Sequence, residues 1–262
     1  MKFLGYVLGA CLAASLSATP AAAQEKAGQL KIGTSLSQMP WGFFDDKQQP
    51  TGVDVALCGG IAKQLGATAE FINLDYKGLI PALQAKRFDV ACAAMYITPE
   101  REQAVLMVPY IQATTAIVTR QESPMTGPDD LCGRSASVLQ GSASLRTLEG
   151  ISAKCQAAGK AALRIQAFDT QPVALKALEN NNVEAFIATD TLISFHMSKN
   201  PGYKKIVSGM NPMTLGIGLP HGQEALARQI RDALAAMKAN GSYMAILRQW
   251  GIETAALDKF EK

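Results

Sequence analysis

The sequence predicts an α/β protein built from two similar units. Segments with strand character alternate with segments of helical periodicity from residue 30 onward, and the same alternation resumes after residue 130. Such an order is typical of parallel strands joined by right-handed helical crossovers. The chain has 262 residues, of which 48% are apolar, so it can bury the cores of two ordinary lobes or of one large domain.

In the first unit, predicted strands alternate with two predicted helices. Apolar residues recur at helical spacing from Val53 to Leu65, and Gly66 ends that segment. Before this helix, the loop 35–42 contains Trp41. We predict strands at 30–34, 71–74, 88–95 and 114–119, and helices at 53–65 and 77–85.

Residues 121–130 mark the passage to the second unit. They contain two prolines, one glycine and three acidic residues, which indicates a surface connection. The segment 223–240 is strongly amphipathic, and Gly241 ends it. Beyond the connection we predict strands at 135–139, 164–168, 183–188 and 213–219, and helices at 145–156, 172–179, 223–240 and 243–250.

The first 23 residues have the pattern of an export signal. Lys2 supplies the positive start, residues 3–16 are the apolar region, and three alanines ending at Ala23 form a small-residue cleavage site. Alternatively, the Leu-Gly-Ala-Cys run ending at Cys11 resembles a lipobox, and cleavage there would leave a lipidated cysteine. No later apolar stretch reaches about 18 residues, so we predict no transmembrane helix.

Cleavage after Ala23 leaves four cysteines in an oxidising compartment, and four cysteines allow three pairings. Cys132 and Cys155 lie close together in the second unit, whereas Cys58 and Cys92 lie in the first. We therefore expect disulfides within each pair. Cys92 lies in an apolar strand, so a buried free thiol is the alternative for the first pair.

Several classes of chemistry have little support in the sequence. The net charge is +3 and no run of basic residues exceeds two, so neither nucleic acid nor an anionic membrane is indicated as a partner. His196 and His221 are the only histidines, which argues against a histidine metal site or a Ser-His-Asp triad. Glycine-rich nucleotide-binding motifs are absent too. We therefore expect no cofactor and no metal.

One predicted strand runs directly into a helix start that suits an anion. Thr98 is a good N-cap, Pro99 suits the first helical position, and Glu100 complements the helix dipole. Free backbone N–H groups and the planar guanidinium of Arg101 could bind a ligand carboxylate there. The alternative is that Arg101 is a solvated residue of the first turn. Similarly, the turn at Ser142 is either a backbone cradle for a ligand or a simple N-cap.

A series of short motifs resembles the family 3 extracellular solute-binding proteins, the periplasmic amino-acid receptors of ABC importers. The resemblance covers essentially the whole mature chain. The motifs, in order, are Gly52-x-Asp54, Leu79-Ile80-Pro81-Ala82-Leu83, Phe88-Asp89, Ile97-Thr98-Pro99-Glu100-Arg101, Pro109-Tyr110, Gln140-Gly141-Ser142 and Gly241-Ser242-Tyr243 with Trp250-Gly251.

This resemblance implies a type II periplasmic-binding-protein fold, in which two α/β lobes are joined by a two-strand hinge and the ligand lies in the cleft between them. Residues 1–23 would be the signal peptide and residues 24–115 the first part of lobe 1. Residues 116–212 would form lobe 2, and residues 213–262 would return to lobe 1. The two crossovers would lie near residues 115–120 and 211–215.

The resemblance also implies ligand-binding residues. Arg101 would clamp the α-carboxylate, assisted by backbone near Ala94 and Ser142. Trp41 and Tyr76 would be apolar walls of the pocket, and Gln38 would line its rim.

The sequence departs from the family pattern at three positions. An aspartate late in lobe 2 would bind the α-ammonium, but Thr189 occupies that position and Asp190 follows, so either residue could face the ligand. Tyr96 stands where a small hydroxyl residue is common and would reshape the site. Ser35 stands where receptors for cationic amino acids tend to have an acid, which disfavours lysine and arginine as ligands.

We expect a monomeric periplasmic receptor for a small polar amino acid or related carboxylate, which closes at its hinge and delivers the solute to an ABC permease. Two other functions remain open. Enzymes of the same fold dehydrate or decarboxylate small carboxylates, and here Glu100, Asp75 and Asp190 are the acids near the site. A sensor or accessory protein would have the same fold.

Overall fold

The structure is a computed structural model that describes residue 1 and residues 28–261. The predicted signal segment, its cleavage after Ala23 and the alternative lipid site at Cys11 therefore lie outside the described residues. An eight-stranded mixed sheet dominates the fold, and a small three-stranded sheet lies beside it. The strands are β1 Gln29–Thr34, β2 Ser37–Gln38, β3 Gly42–Phe44, β4 Pro50–Thr51, β5 Thr68–Asn73, β6 Val90–Ala91, β7 Leu106–Arg120, β8 Ser135–Leu139, β9 Arg164–Phe168, β10 Ala185–Thr189 and β11 Tyr203–Leu219.

The order of strands divides the large sheet into two halves. The order is β5-β1-β6-β11-β7-β10-β8-β9, with parallel pairing in the outer parts and antiparallel pairing around β7 and β11. We call the half with β5, β1 and β6 lobe 1 and the half with β10, β8 and β9 lobe 2. β7 and β11 pair with each other along most of their length and belong to both halves, so they form the hinge.

Helices cover both lobes. Lobe 1 contains α1 Val53–Gln64, α2 Leu79–Gln84 and α3 Pro99–Ala104, and lobe 2 contains α4 Ala143–Ala157, α5 Gln171–Glu179 and α6 Asp190–Lys199. The last two helices are α7 Glu224–Ala239 and α8 Ser242–Gln249. Both pack against α1, so the end of the chain returns to lobe 1.

The lobe boundaries are a proposal. We place them after residue 115 and after residue 212, which lie inside β7 and β11 respectively. A break there leaves each lobe with its own parallel strands and its own helices, and the hinge strands provide both crossings.

The elements differ from the sequence prediction in several places, and the strands β2, β3 and β4 were not predicted. The strand predicted at 88–95 is reduced to β6, because the chain leaves the extended conformation at Ala94, where φ is 48°. The strands predicted at 114–119 and 213–219 are the ends of the much longer β7 and β11. Helix α6 was not predicted, although Thr189 caps it by accepting a hydrogen bond from the backbone N–H of Leu192.

Two disulfides tie helices to neighbouring segments. Cys58 of α1 is bonded to Cys92, which follows β6, and Cys132 is bonded to Cys155 of α4. This is the pairing predicted from the sequence. Each bond lies within one lobe, so neither restricts the movement of one lobe relative to the other.

Candidate functional site in the interlobe cleft

The first turn of α3 brings Arg101 to the cleft from lobe 1. Thr98 caps the helix by accepting a hydrogen bond from the backbone N–H of Arg101 at 3.3 Å, and Pro99 is the first helical residue. The side chain of Arg101 is only 7% exposed. The alternative of a solvated first-turn arginine therefore does not fit its environment.

The guanidinium of Arg101 makes contacts with both lobes. It donates to the carbonyl oxygen of Tyr96 at 2.8 Å, to the hydroxyl of Tyr76 at 3.0 Å and, across the cleft, to the carbonyl oxygen of Gly141 at 3.1 Å. Its central carbon also lies 5.6 Å from the centre of the Tyr76 ring. These partners are neutral, and no carboxylate of residues 28–261 forms an ion pair with this guanidinium. The charge of this buried guanidinium is therefore not balanced by a carboxylate of the described residues, although burying an unpaired charge is costly.

Three aromatic residues of lobe 1 are buried, and the side chain of one of them, Tyr76, contacts this cation. Trp41, Tyr76 and Tyr96 are each at most 6% exposed. The indole N–H of Trp41 donates to the hydroxyl of Thr189 at 2.9 Å, which links lobe 1 to the end of β10 in lobe 2. The hydroxyl of Tyr96 donates to the carbonyl oxygen of Thr114 at 2.9 Å, and burial raises its pKa to about 12.

Further contacts close the cleft at its rim. Lys77 of lobe 1 donates to Asp169 of lobe 2 at 2.7 Å, and both side chains are exposed. Gly141 takes a positive φ of 75°, and a Cβ there would lie 3.2 Å from the Cβ of Lys77. A glycine therefore allows the two backbones to approach at this point. Glu100 of lobe 1 and Arg146 of lobe 2 form a second ion pair across the cleft.

Thr189 and Asp190 face different environments. Thr189 accepts the hydrogen bond from Trp41. The carboxylate of Asp190 instead accepts hydrogen bonds from the side chains of Lys205 and Ser208. It also accepts one from the backbone N–H of Gly209 at 3.0 Å. Burial of Asp190 raises the pKa of its carboxyl, but these hydrogen bonds and the positive charge of Lys205 outweigh burial and hold it below its usual value. Asp190 is thus ionised and is already paired within lobe 2.

Gln38, Ser142 and Ala94 are the remaining residues inferred from the resemblance, and Ser142 lies at the cleft. Gln38 in β2 is buried, and the amide nitrogen of its side chain has no hydrogen-bond partner. Ser142 is the N-cap of α4, and its hydroxyl donates to the carbonyl oxygen of Leu139 at 2.7 Å. Ala94 has a left-handed conformation, which is strained for a residue with a side chain.

Gln171 was not singled out from the sequence. It is the first residue of α5, is 7% exposed, and has a side-chain oxygen without a hydrogen-bond partner. Before the fold is known, this residue is only the start of a helix in front of Pro172. Its position becomes significant because β2 of the other lobe packs against α5.

A carboxyl group lies deep behind the cleft. Asp54 is 1% exposed and accepts a hydrogen bond of 2.6 Å from the hydroxyl of Tyr110 in β7. Burial raises the pKa of Asp54 to about 7, although the hydrogen bond from Tyr110 lowers it in part. Asp54 therefore titrates near neutral pH, where most carboxyl groups are fully ionised.

Two cavities are lined by residues from both lobes. A cavity of about 230 Å³ lies beside Arg101 and is lined by Thr98, Gly141 and Ser142. A larger one of about 500 Å³ lies on the hinge side and is lined by Asp190 and Trp250 among others. No group of three potential metal ligands occurs within residues 28–261. In the same part of the chain, no helix is both long and apolar enough for a membrane span.

Comparison with known proteins gives a consistent result. Residues 30–253 match the family described as "Bacterial extracellular solute-binding proteins, family 3". An ABC transporter arginine-binding protein of Escherichia coli is 24% identical over 230 residues, which cover 86% of this chain and 91% of that protein.

Solved structures share the fold. An ancestral arginine-binding protein bound to glutamine is 31% identical with a TM-score of 0.80, and the match covers 86% of this chain and 99% of that chain. An ancestral amino-acid-binding protein, described as a precursor of cyclohexadienyl dehydratase, is 25% identical with a TM-score of 0.77, covering 85% and 95%. The two-lobed architecture above is thus that of periplasmic amino-acid-binding proteins.

Proposed function

The chain belongs to the family 3 bacterial extracellular solute-binding proteins, and we propose that it is a receptor for a small polar amino acid or a related carboxylate. The ligand would lie between the lobes and stabilise their closed arrangement. The similar proteins named above bind arginine or glutamine, which supports an amino acid as ligand.

The observation that carries this proposal is the environment of Arg101. Its guanidinium is buried, it is contacted from both lobes, and its partners are uncharged oxygen atoms. A ligand carboxylate would supply the missing charge through two parallel hydrogen bonds. Backbone N–H groups near Ala94 and in the first turn after Ser142 would assist, since Ser142 is the N-cap of a 15-residue helix whose positive end favours an anion.

We propose that Thr189 is the residue of lobe 2 that lies beside the ligand's α-ammonium group. Its hydroxyl already accepts hydrogen bonds from Trp41 and from the backbone N–H of Leu192, so it would contact the ammonium without a hydrogen bond. Its hydroxyl lies against Trp41, whereas the carboxylate of Asp190 is paired with Lys205. Asp190 would then act at longer range, through its negative charge. Trp41, Tyr76 and Tyr96 would be the walls of the pocket, with Gln38 at its rim.

Closure at the hinge follows from the contacts that cross the cleft. A ligand held by Arg101 and Thr189 touches lobe 1 and lobe 2 together only when the lobes are closed, so it binds that state more tightly and shifts the population toward it. The ion pair between Lys77 and Asp169 is exposed, and such a pair adds little to closure by itself. The ligand would therefore supply most of the free energy that holds the cleft shut.

Delivery of the ligand to an ABC permease completes the proposal. The Escherichia coli relative is named as part of an ABC transporter. A permease that contacts both lobes would bind the closed form in preference to the open form. We further propose that the mature protein starts after Ala23, resides in the periplasm and acts as a monomer.

A thermal-shift screen tests the receptor function. The mature protein would be unfolded and refolded to remove any bound solute and then heated with each amino acid or small carboxylate. A ligand present at 100 times its dissociation constant should stabilise the protein by about 2.7 kcal/mol, which is a shift of a few degrees. Stabilisation by selected amino acids supports the proposal, and the absence of any shift contradicts it.

An enzyme is the second candidate, because one similar structure is a precursor of a dehydratase. Such an enzyme needs a free acid beside the bound carboxylate. Glu100 is paired with Arg146 and Asp190 with Lys205, which leaves the exposed Asp75. Loss of prephenate or a similar acid during incubation with the protein, followed by ultraviolet absorbance, would favour the enzyme over the receptor.

A further inference from the structure

Two buried carboxamides from opposite lobes have unpartnered atoms. Gln38 of lobe 1 is 4% exposed and Gln171 of lobe 2 is 7% exposed. The side-chain nitrogen of Gln38 and the side-chain oxygen of Gln171 are inaccessible to solvent and have no hydrogen-bond partner. Leaving a donor or an acceptor buried without a partner is costly. The pair therefore needs an explanation beyond packing.

The fold places both side chains in the same region of the cleft. β2, which contains Gln38, packs against α5, which begins with Gln171. Two residues before Gln171, Asp169 forms the ion pair with Lys77 that crosses the cleft. The lobes are thus in contact on this side, and the two amides lie at that contact.

A third polar atom without a partner belongs to the same part of lobe 1. The hydroxyl of Thr34 is buried and unpartnered. A Cβ built on Gly42 would lie 3.4 Å from this hydroxyl, and Gly42 is the residue paired with Gln38 between β2 and β3. A hydroxyl and an amide donor in lobe 1 and an amide acceptor in lobe 2 are therefore all without partners around the contact of β2 with α5, and none of the three is charged.

This combination matches one class of ligand side chain. A guanidinium or an ammonium group carries only donors and a positive charge, which the free N–H of Gln38 would oppose. A carboxylate has only acceptors, which the free oxygen of Gln171 would oppose. A neutral carboxamide or ureido group offers one acceptor for Gln38 and N–H donors for Gln171. Asp169 is the acid nearest to Gln171 along the chain, and it is already paired with Lys77. It is therefore not free to balance the charge of a cationic ligand side chain.

We propose that Gln38 and Gln171 bind the end of the ligand's side chain and select an amino acid with a neutral carboxamide or ureido group, such as glutamine, asparagine or citrulline. This inference rests on the proposed function, because Arg101 must hold the other end of the same ligand. The two amides become buried together only when the lobes meet. They therefore bind the ligand's side chain together only in the closed state.

Titration calorimetry of the refolded mature protein tests the selection. L-Glutamine should bind at least about tenfold more tightly than L-arginine and L-glutamate, because each of the latter leaves a buried polar atom unpaired. The Gln171→Met and Gln38→Met variants keep the length of the side chain but lose its hydrogen bonds. Each should weaken glutamine binding about tenfold and leave the binding of L-norleucine, which has an apolar side chain, nearly unchanged.

Controls separate this inference from a loss of folding and from a failure of the proposed function. Gln156→Met makes the same replacement at an exposed position of α4 and should change nothing. The Gln171→Glu variant places a negative charge at the same point and should shift the preference from glutamine toward arginine, whatever the stability of the methionine variants.

The other possible results of these titrations distinguish an error in the side-chain assignment from a failure of the receptor function. If arginine or glutamate binds as tightly as glutamine, or if Gln171→Met and Gln171→Glu leave selectivity unchanged, the side-chain assignment is wrong and the receptor function stands. If no amino acid binds to the refolded protein, the receptor function fails and this inference fails with it.

Discussion

Asp54 makes a specific prediction about the pH dependence of stability. Its carboxyl is buried behind the cleft, where burial raises the pKa from 3.8 to about 7. Between these values the folded state binds a proton that the unfolded state releases. Stability from this group is therefore fully present below about pH 4 and is lost as the pH rises toward 7.

The size of the effect follows from the two pKa values. Because one pKa unit corresponds to about 1.4 kcal/mol, the folded protein loses about 4 kcal/mol in total from the ionisation of Asp54. About 3 kcal/mol of this loss falls between pH 5 and pH 8. His196 has the opposite effect over part of this range, since burial lowers its pKa and disfavours its protonated form. A comparison of two variants is therefore needed to isolate Asp54.

The assay is urea unfolding of the oxidised mature protein at pH 5, 6, 7 and 8. We expect the free energy of unfolding of Asp54→Asn, minus that of the wild type, to rise by about 3 kcal/mol from pH 5 to pH 8. The asparagine side chain could also change stability by an amount that does not depend on pH, and such a change does not alter this rise. Asp232→Asn, at an exposed position of α7, is the matched control. Parallel curves for wild type and Asp54→Asn would refute the assignment of a raised pKa to Asp54.

Three further predictions concern the cleft, a disulfide and the start of the mature chain. Trp41→Phe removes the one hydrogen bond of its indole to lobe 2 and should weaken ligand binding about fivefold in calorimetry; unchanged affinity would show that this bond does not favour closure. Serine at both Cys132 and Cys155, which are 23 residues apart, should lower the free energy of unfolding by about 3 kcal/mol in urea, and an equal midpoint would contradict it. Mass spectrometry of the exported protein should give a chain that begins after Ala23, whereas a lipidated Cys11 would contradict that cleavage.

The alternation of strands and helices was predictable because it depends on local periodicity. The helix from Glu224, for example, shows its apolar face in the sequence. The lengths of the hinge strands were not predictable in this way. Pro109 and Gly209 interrupt the strand pattern, yet the long strands continue past both. Shifts of register in β11, one of them opposite Pro109, accommodate these residues within the sheet.

The short β6 and the missed α6 have physical causes of different kinds. The apolar run around Ala94 resembles a buried strand, but tertiary contacts hold Ala94 at a positive φ that its sequence does not indicate. The start of α6 did carry a signal, because Thr189 is a good N-cap and Asp190 suits the first turn. The same two residues also occupy a ligand-contact position in the family pattern, and the sequence alone does not separate that role from a helix start.

At the candidate site, sequence motifs predict side chains of the site but not the atoms that those side chains contact. Thr98, Pro99 and Arg101 form a local motif whose helix start is visible in the sequence. Contacts between lobes depend on the closed arrangement, so the hydrogen bond from Trp41 to lobe 2 could not be derived. Gln171 carries no motif at all, and its burial against the other lobe is known only from the fold.

The most direct test of the receptor account is calorimetric titration of the Arg101→Ala variant with the amino acid that binds the wild-type protein most tightly. Binding should be at least about a hundredfold weaker, because the variant loses a buried, bidentate partner of the ligand carboxylate. Arg87→Ala, at an exposed position of lobe 1, should bind like the wild type. Unchanged affinity in Arg101→Ala would contradict the assignment of Arg101 and, with it, the central claim.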